Sequence, residues 1–236
     1  MRILVINPNS SADMTAAIAR ELTAVRRPDS HVDVVNPAGG PLSIESAYDE
    51  SRAVPEMLRL VQRAPEQGYD AVVIACFSDP GLDAARELVD IPVVGIQEAS
   101  MYLAASLGSF FGVLTTLERR VPVRRRYAES LGLGGKMVST PVLNIPVAET
   151  VGSLERMKAT ALAKSREAMA DGAEVLIMGC AGLGDWSHEL QQELGIPIIN
   201  PNAAGLKLAE SLVDLRLAHS KARSFQPPRY VVPLDR

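Results

Sequence analysis

The sequence predicts an α/β protein of two pseudo-symmetric lobes, each a parallel sheet flanked by helices, with a ligand cleft between them. Three observations predict it. Short β-rich apolar runs alternate with helical patterns along the whole chain, which signals parallel strands joined by crossover helices. Two of those runs, 71–75 and 175–179, are almost wholly apolar, as strands covered on both faces are. The halves also repeat each other: Gly68 stands as far before Cys76 as Gly172 stands before Cys180, and an Ile-Pro pair follows each Cys, Ile91-Pro92 and Ile196-Pro197. The expected division is 1–98 plus 201–236 for the first lobe, with the last helix returning to it, and 99–200 for the second.

The elements follow in order. Residues 3–7 read as the first strand, and 13–25 as a helix with Met14, Ile18, Leu22 and Val25 on one face. A second strand covers 31–35, and a loop runs from Pro37 to Pro41 around Gly39-Gly40. Ser46-Ala47-Tyr48-Asp49 has the form of a capping box, and Pro55 is expected to interrupt the helix it opens. The strand at 71–75 leads through Cys76 into a helix over 79–88, with Pro80 in its first turn, and then to a strand at 92–96. In the second half, strand 110–114 ends in Thr115-Thr116. A helix follows with Pro122 near its start and Tyr127 and Leu131 facing inward, stopped by Gly132 and Gly134-Gly135. A weaker strand at 136–140, a long helix at 154–169, the strand at 175–179, a helix at 187–194, a strand at 196–199 and a last helix at 203–217 complete the order. The tail from Gln226-Pro227-Pro228 onward reads as loose.

Composition narrows the function classes. The 236 residues suit one large domain or two small lobes, and 47% apolar content supports a substantial core. With only 4% aromatic residues, aliphatic side chains must do most of the packing. A net charge of −4 argues against a general nucleic-acid binder. The one basic cluster, Arg119, Arg120, Arg124, Arg125 and Arg126, reads as a solvated helix face, with a subunit contact or an anion site as the alternative. After Met1-Arg2 only Ile3 to Ile6 are apolar before Asn7-Pro8-Asn9, so no secretory signal is expected. No run approaches the ~18 apolar residues of a membrane span. A cytoplasmic location is therefore expected, with Cys76 and Cys180 reduced and not paired.

Each Cys ends a strand and precedes a helix, where turn N–H groups and the helix dipole favour a thiolate and can bind a substrate oxygen. Ser10 precedes Cys76 by nearly the same distance as Thr116 precedes Cys180, so each half carries a hydroxyl and a thiol to the edge where parallel sheets bind ligands. Two thiols on opposite sides of one carbon suit proton transfer, one as base and the other as acid. The resulting anion would be met by the two turns with Ser10, Ser11, Ser78, Thr115 and Thr116. The plain alternatives are a buried structural Cys and ordinary N-capping hydroxyls. Neither GxxxxGK[ST], GxSxG nor HExxH occurs, and His31, His188 and His219 are scattered, which reads as surface positions with no metal cluster.

Four segments carry a resemblance: Ile6-Asn7-Pro8-Asn9-Ser10; Gly40-Pro41-Leu42-Ser43-Ile44-Glu45 with Tyr48-Asp49-Glu50; Ala75-Cys76-Phe77-Ser78-Asp79-Pro80-Gly81-Leu82; and Gly179-Cys180-Ala181-Gly182. Val113-Leu114-Thr115-Thr116 also fits. Together they resemble the aspartate/glutamate racemase superfamily, and most closely its hydantoin and allantoin racemase branch. The resemblance implies two pseudo-symmetric lobes, no cofactor, a homo-oligomer, and a thiol–thiolate pair at Cys76 and Cys180. The substrate contacts it implies are Asn9, Ser10, Ser43, Ile44, Phe77, Ser78, Thr115, Thr116, Gly179, Ala181 and Gly182, with Tyr48 and Leu183 as further pocket walls. Amino-acid racemases of the superfamily carry Thr and His soon after the second Cys and an Asp-Ser turn near the start. Here Ala181-Gly182 and Asn9-Ser10 stand instead, which favours a neutral cyclic substrate. Three other readings stay open. Arylmalonate decarboxylases work with one Cys, so Cys76 counts against that activity. Maleate isomerases use two, and a non-catalytic small-molecule binder would hold inert thiols.

Overall fold

The computed structural model describes residues 1–230. Two four-stranded parallel sheets organise the chain. The first contains β1 (Arg2–Ile6), β2 (His31–Val35), β3 (Ala71–Ile74) and β4 (Val93–Gly95) in the order β2-β1-β3-β4. The second contains β5 (Phe111–Leu114), β6 (Met137–Ser139), β7 (Val175–Met178) and β8 (Ile198–Ile199) in the order β6-β5-β7-β8. The helices are α1 (Ala12–Val25), α2 (Ala47–Arg63), α3 (Leu82–Leu88), α4 (Ile96–Leu107), α5 (Val121–Ser130), α6 (Leu154–Ala170), α7 (Trp186–Leu194) and α8 (Pro201–Asp214).

Strand alternation divides the core. Leu4, Ile6, Val72 and Ile74 pack against Met57 and Val61 of α2 and Leu82 and Ala85 of α3. Ile3, Val5 and Val73 face the other way, into a larger core that includes Met14, Ile18 and Leu22 of α1. That second core continues without a break into Phe111, Val113, Leu176 and Ile177 of the other sheet, so the lobes share apolar interior. The last helix, α8, returns to pack on β3, β4 and α4.

Several expectations change. Pro55 does not interrupt α2, which runs through it. The proline forgoes one backbone bond, and the capping box at Ser46 and Asp49 secures the helix start. The helix after Cys76 begins at Leu82, because Asp79 and Gly81 adopt left-handed conformations, φ 45° and 67°. The strand expected at 92–96 is shorter and turns at Gly95 directly into α4, a helix the sequence pattern did not announce. Asp79 makes this possible. Its carboxylate accepts the N–H groups of Gln97 (2.9 Å) and Glu98 (2.8 Å), capping α4 from across the chain.

Ahead of the tail from Gln226, the chain after α8 is fastened down. Lys221 Nζ donates to the carbonyls of Arg86 (2.6 Å) and Val89 (2.8 Å) at the end of α3. Val93 N–H donates to His219 Nε2 at 2.9 Å, and that ring meets Phe225 edge-on. His31 and His188 are exposed as expected, whereas His219 is half-buried because it covers the β4 backbone. The sequence reading of the tail beyond residue 230 lies outside the described residues. Among the described residues no helix is long and apolar enough to cross a membrane.

Candidate active site

The two lobes build their strand ends alike. Ala75 N–H donates to Ile6 O at 2.8 Å, and Gly179 N–H donates to Leu114 O at 2.8 Å, so each of these bonds falls one residue before a Cys. A tight turn follows in both. The Cys76 carbonyl accepts Ser78 N–H (2.8 Å) and Asp79 N–H (3.0 Å), and the Cys180 carbonyl accepts Leu183 N–H (3.1 Å). Both cysteines are free. The second turn is also braced from behind: Asn202 Nδ2 donates to Ala181 O at 2.8 Å and to Glu21 at 3.2 Å.

Both thiols line one cleft. Asn9, Ile44, Phe77, Ser78, Thr116, Gly179 and Ala181 share its wall, as the sequence leads one to expect. Asn9 is held through its Oδ1, which accepts Asn7 Nδ2 and Ser11 N–H, both at 2.9 Å. Among the described residues its Nδ2 meets only Met14 Sδ, a weak acceptor, which leaves an amide donor free for a ligand.

Four expected contacts lie off the wall. Ser10 N–H is bound to Pro41 O and its hydroxyl turns to Gly40 O. Ser43 turns to Glu45. Thr115 is fully buried, its backbone bridging to Pro141 and Leu143. Gly182 lies behind Cys180, its N–H directed at that thiol, and a Cβ there would meet Thr150 Oγ1 at 2.1 Å. Of the further walls considered, Tyr48 is exposed and Leu183 is buried in the core.

The main departure is the arginine cluster. Arg119, Arg125 and Arg126 are exposed, but Arg120 and Arg124 are buried and line the cleft. They share one helical face with Ala128, at i, i+4 and i+8, and this face turns inward beside Tyr127 and Leu131, which pack against the core as expected. That spacing was the available signal. What hid it is that a guanidinium is normally kept in water, and its partners here come from remote segments. Arg120 pairs with Glu50 of α2 at 2.5 Å. Arg124 donates to Gln97 Oε1 at 2.6 Å and stacks over the Phe77 ring at 4.9 Å. Met14, Ala75 and Val147 complete the wall. Val147 is drawn across the cleft by its N–H bond to Glu45 Oε1, 2.8 Å.

Electrostatics in the cleft are set by burial. Burial pushes the Cys76 thiol up, while the Ser78 hydroxyl and the charges of Arg124 and Arg120 pull it back. Cys180 is pushed up to about 11 by burial, opposed by the Gly182 N–H, Arg124 and Thr150, while a charge on Cys76 raises it further. Burial, with Arg120 adding to it, brings Arg124 down to about 10, so it stays cationic at neutral pH.

Fold and site together define a two-lobed α/β protein whose equivalent strand ends each bring one thiol to a shared, arginine-lined cleft. The Asp/Glu/Hydantoin racemase family matches residues 3–209, and the chain belongs to that family. A hydantoin racemase of Pseudomonas sp. (strain NS671) is 38% identical over 229 residues, covering 97% of this chain and 92% of the relative. An allantoin racemase from Klebsiella pneumoniae superposes with a TM-score of 0.93 at 36% identity, covering 98% of this chain and 95% of that one. An allantoin racemase from Pseudomonas fluorescens superposes with a TM-score of 0.89 at 32% identity, covering 99% of each chain.

Proposed function

We propose that this protein racemises 5-substituted hydantoins, allantoin among them, by proton transfer between Cys76 and Cys180. The observation that carries the reading is two free thiols on the wall of one cleft in a chain this similar to hydantoin and allantoin racemases. In the proposed reaction one sulfur begins as thiolate and takes the proton from the ring carbon next to the carbonyl. The C–H electron pair moves to the carbonyl oxygen as an enolate, and the opposite thiol returns a proton to the other face. Either sulfur begins the cycle, as a reaction run in both directions requires. Asn9, with its free amide donor, and Ser78 and Thr116 on the wall are assigned to the substrate's carbonyl and N–H groups. Ile44 and Phe77 flank the substituent, and the small side chain of Ala181 leaves room for the ring beside Gly179.

The reading carries with it a small-molecule substrate, no cofactor, a cytoplasmic setting that keeps both thiols reduced, and lobes at 1–98 plus the chain from 201, and 99–200. It also carries a homo-oligomer, for which exposed Tyr102, Leu103, Leu107 and Leu208 on α4 and α8 offer an apolar face; sedimentation as a monomer would oppose it. Polarimetry on enantiopure hydantoins and allantoin, run in D2O, tests the activity. Deuterium is expected at the stereocentre, and Cys76→Ser and Cys180→Ser should each lose racemisation. Full activity in either variant refutes the two-thiol mechanism, and turnover of maleate alone would move the assignment to an isomerase.

A further inference from the structure

Arg124 is the cleft residue that the two-thiol scheme leaves without a task, and its surroundings are unusual. The side chain is almost fully buried. Among the described residues no carboxylate pairs with it: Glu50 is taken by Arg120 and Glu98 by Arg86, while Asp79 accepts from Tyr127 and the α4 backbone. Its fixed contacts are an amide oxygen, Gln97 Oε1, and a ring face, Phe77. The remaining contact, Nη2 to Gly179 O, is long at 3.5 Å, and Nε is buried with no acceptor. A buried guanidinium with no counter-anion is costly, so the site calls for a negative charge that the resting side chains around it do not supply.

Position says where that charge resides. Phe77 follows Cys76 in the chain and Gly179 precedes Cys180, so Arg124 is held by the neighbours of both thiols, on the wall that both share. We propose that Arg124 is a catalytic residue: its guanidinium is the fixed counter-cation of the single negative charge that the two sulfurs and the substrate pass among them. The proposal rests on the two-thiol reading. In the first half-step S–H forms and C–H breaks, and the charge moves from sulfur to the substrate's carbonyl oxygen. In the second, C–H forms on the opposite face, the other S–H breaks, and the charge arrives on that sulfur. The net charge beside Arg124 is −1 throughout, and no oxidant or co-reactant is needed. The loosely bound Nη2 is the donor left for the enolate oxygen. The other charges that bear on the thiols are Arg120, its partner Glu50, and each sulfur on the other.

Two readouts on the intact protein test this. Iodoacetamide alkylation against pH is read without substrate. Arg124→Gln should move its midpoint up by about one unit or more, and Arg124→Lys, which keeps the charge, by less than about half a unit. Racemisation kcat should fall ~10²–10³-fold in Arg124→Gln with KM within about threefold. An unmoved midpoint in a folded Arg124→Gln, or a kcat within about threefold of native, overturns the proposal. If Arg124→Gln does not fold, Arg124→Lys carries the test, and a midpoint raised by about a unit with the charge retained overturns it. Because alkylation needs no substrate, a native protein that leaves hydantoins untouched would refute the proposed function while this arm still reports on Arg124.

Discussion

Replacing Gly179 by alanine tests how tightly the second strand end holds the Cys180 thiol. A Cβ at Gly179 would lie 2.6 Å from the carbonyl oxygen of Leu114, 3.2 Å from its carbonyl carbon and 3.0 Å from Val113 Cγ1. Two of these three atoms are backbone, and they belong to β5, paired in register with β7 at Leu114 and Met178. No rotamer change relieves the clash, so the strands must part by several tenths of an ångström. That movement opens the 2.8 Å bond from Gly179 N–H to Leu114 O. Overpacking of this kind costs ~1–3 kcal/mol, and a weakened backbone hydrogen bond adds roughly 1 kcal/mol. The expected loss is about 2–4 kcal/mol. In a chain of this size that lowers Tm by roughly 4–16 °C. Since Cys180 is the next residue, its sulfur moves too, and kcat should fall on the order of 10–10²-fold. Circular-dichroism melting and polarimetry measure both effects. Gly135→Ala is the control, because a Cβ there meets nothing within 4 Å. A Gly179→Ala protein that melts within about 2 °C of native and racemises at the native rate would refute the reasoning.

Three further outcomes follow from the buried Asp79 and the buried thiols. Asp79→Ala orphans the N–H groups of Gln97 and Glu98 and the Tyr127 hydroxyl, and should cost ~1–3 kcal/mol in a denaturant titration, with no loss refuting the cap. Burial raises Asp79 from 3.8 to about 7, so its contribution is full below the unfolded value and is lost as pH rises through about 7. The stability of native protein relative to Asp79→Asn should therefore decline between pH ~4 and ~7, and an increase would be contrary. Because burial holds both thiols high, Cys180 at about 11, log kcat/KM should climb with a slope near +1 from pH ~6 to ~8; a flat profile speaks against a thiolate base.

The apolar strands, their order and the two cysteines at equivalent ends were legible in the sequence, because each is local. Val72-Val73-Ile74 and Leu176-Ile177-Met178 announce buried parallel strands, and Cys76 and Cys180 each sit two residues beyond their ends by covalent connection alone. The Ser46–Asp49 capping box is equally local, its partners only a turn apart.

What tertiary structure decided is what depends on partners distant in the chain. The start of α4 was hidden because Gly95 offers no capping side chain and the cap arrives from Asp79. Arg120 and Arg124 read as a solvated face because nothing near them in sequence compensates for burial. Only the fold brings Glu50, Gln97 and Phe77 to them. By itself the sequence determined that two thiols end two matching strands. The packing of the lobes decided that those thiols share a cleft with a buried cation, since desolvating a charge becomes tolerable only once the groups that answer it have been assembled around it.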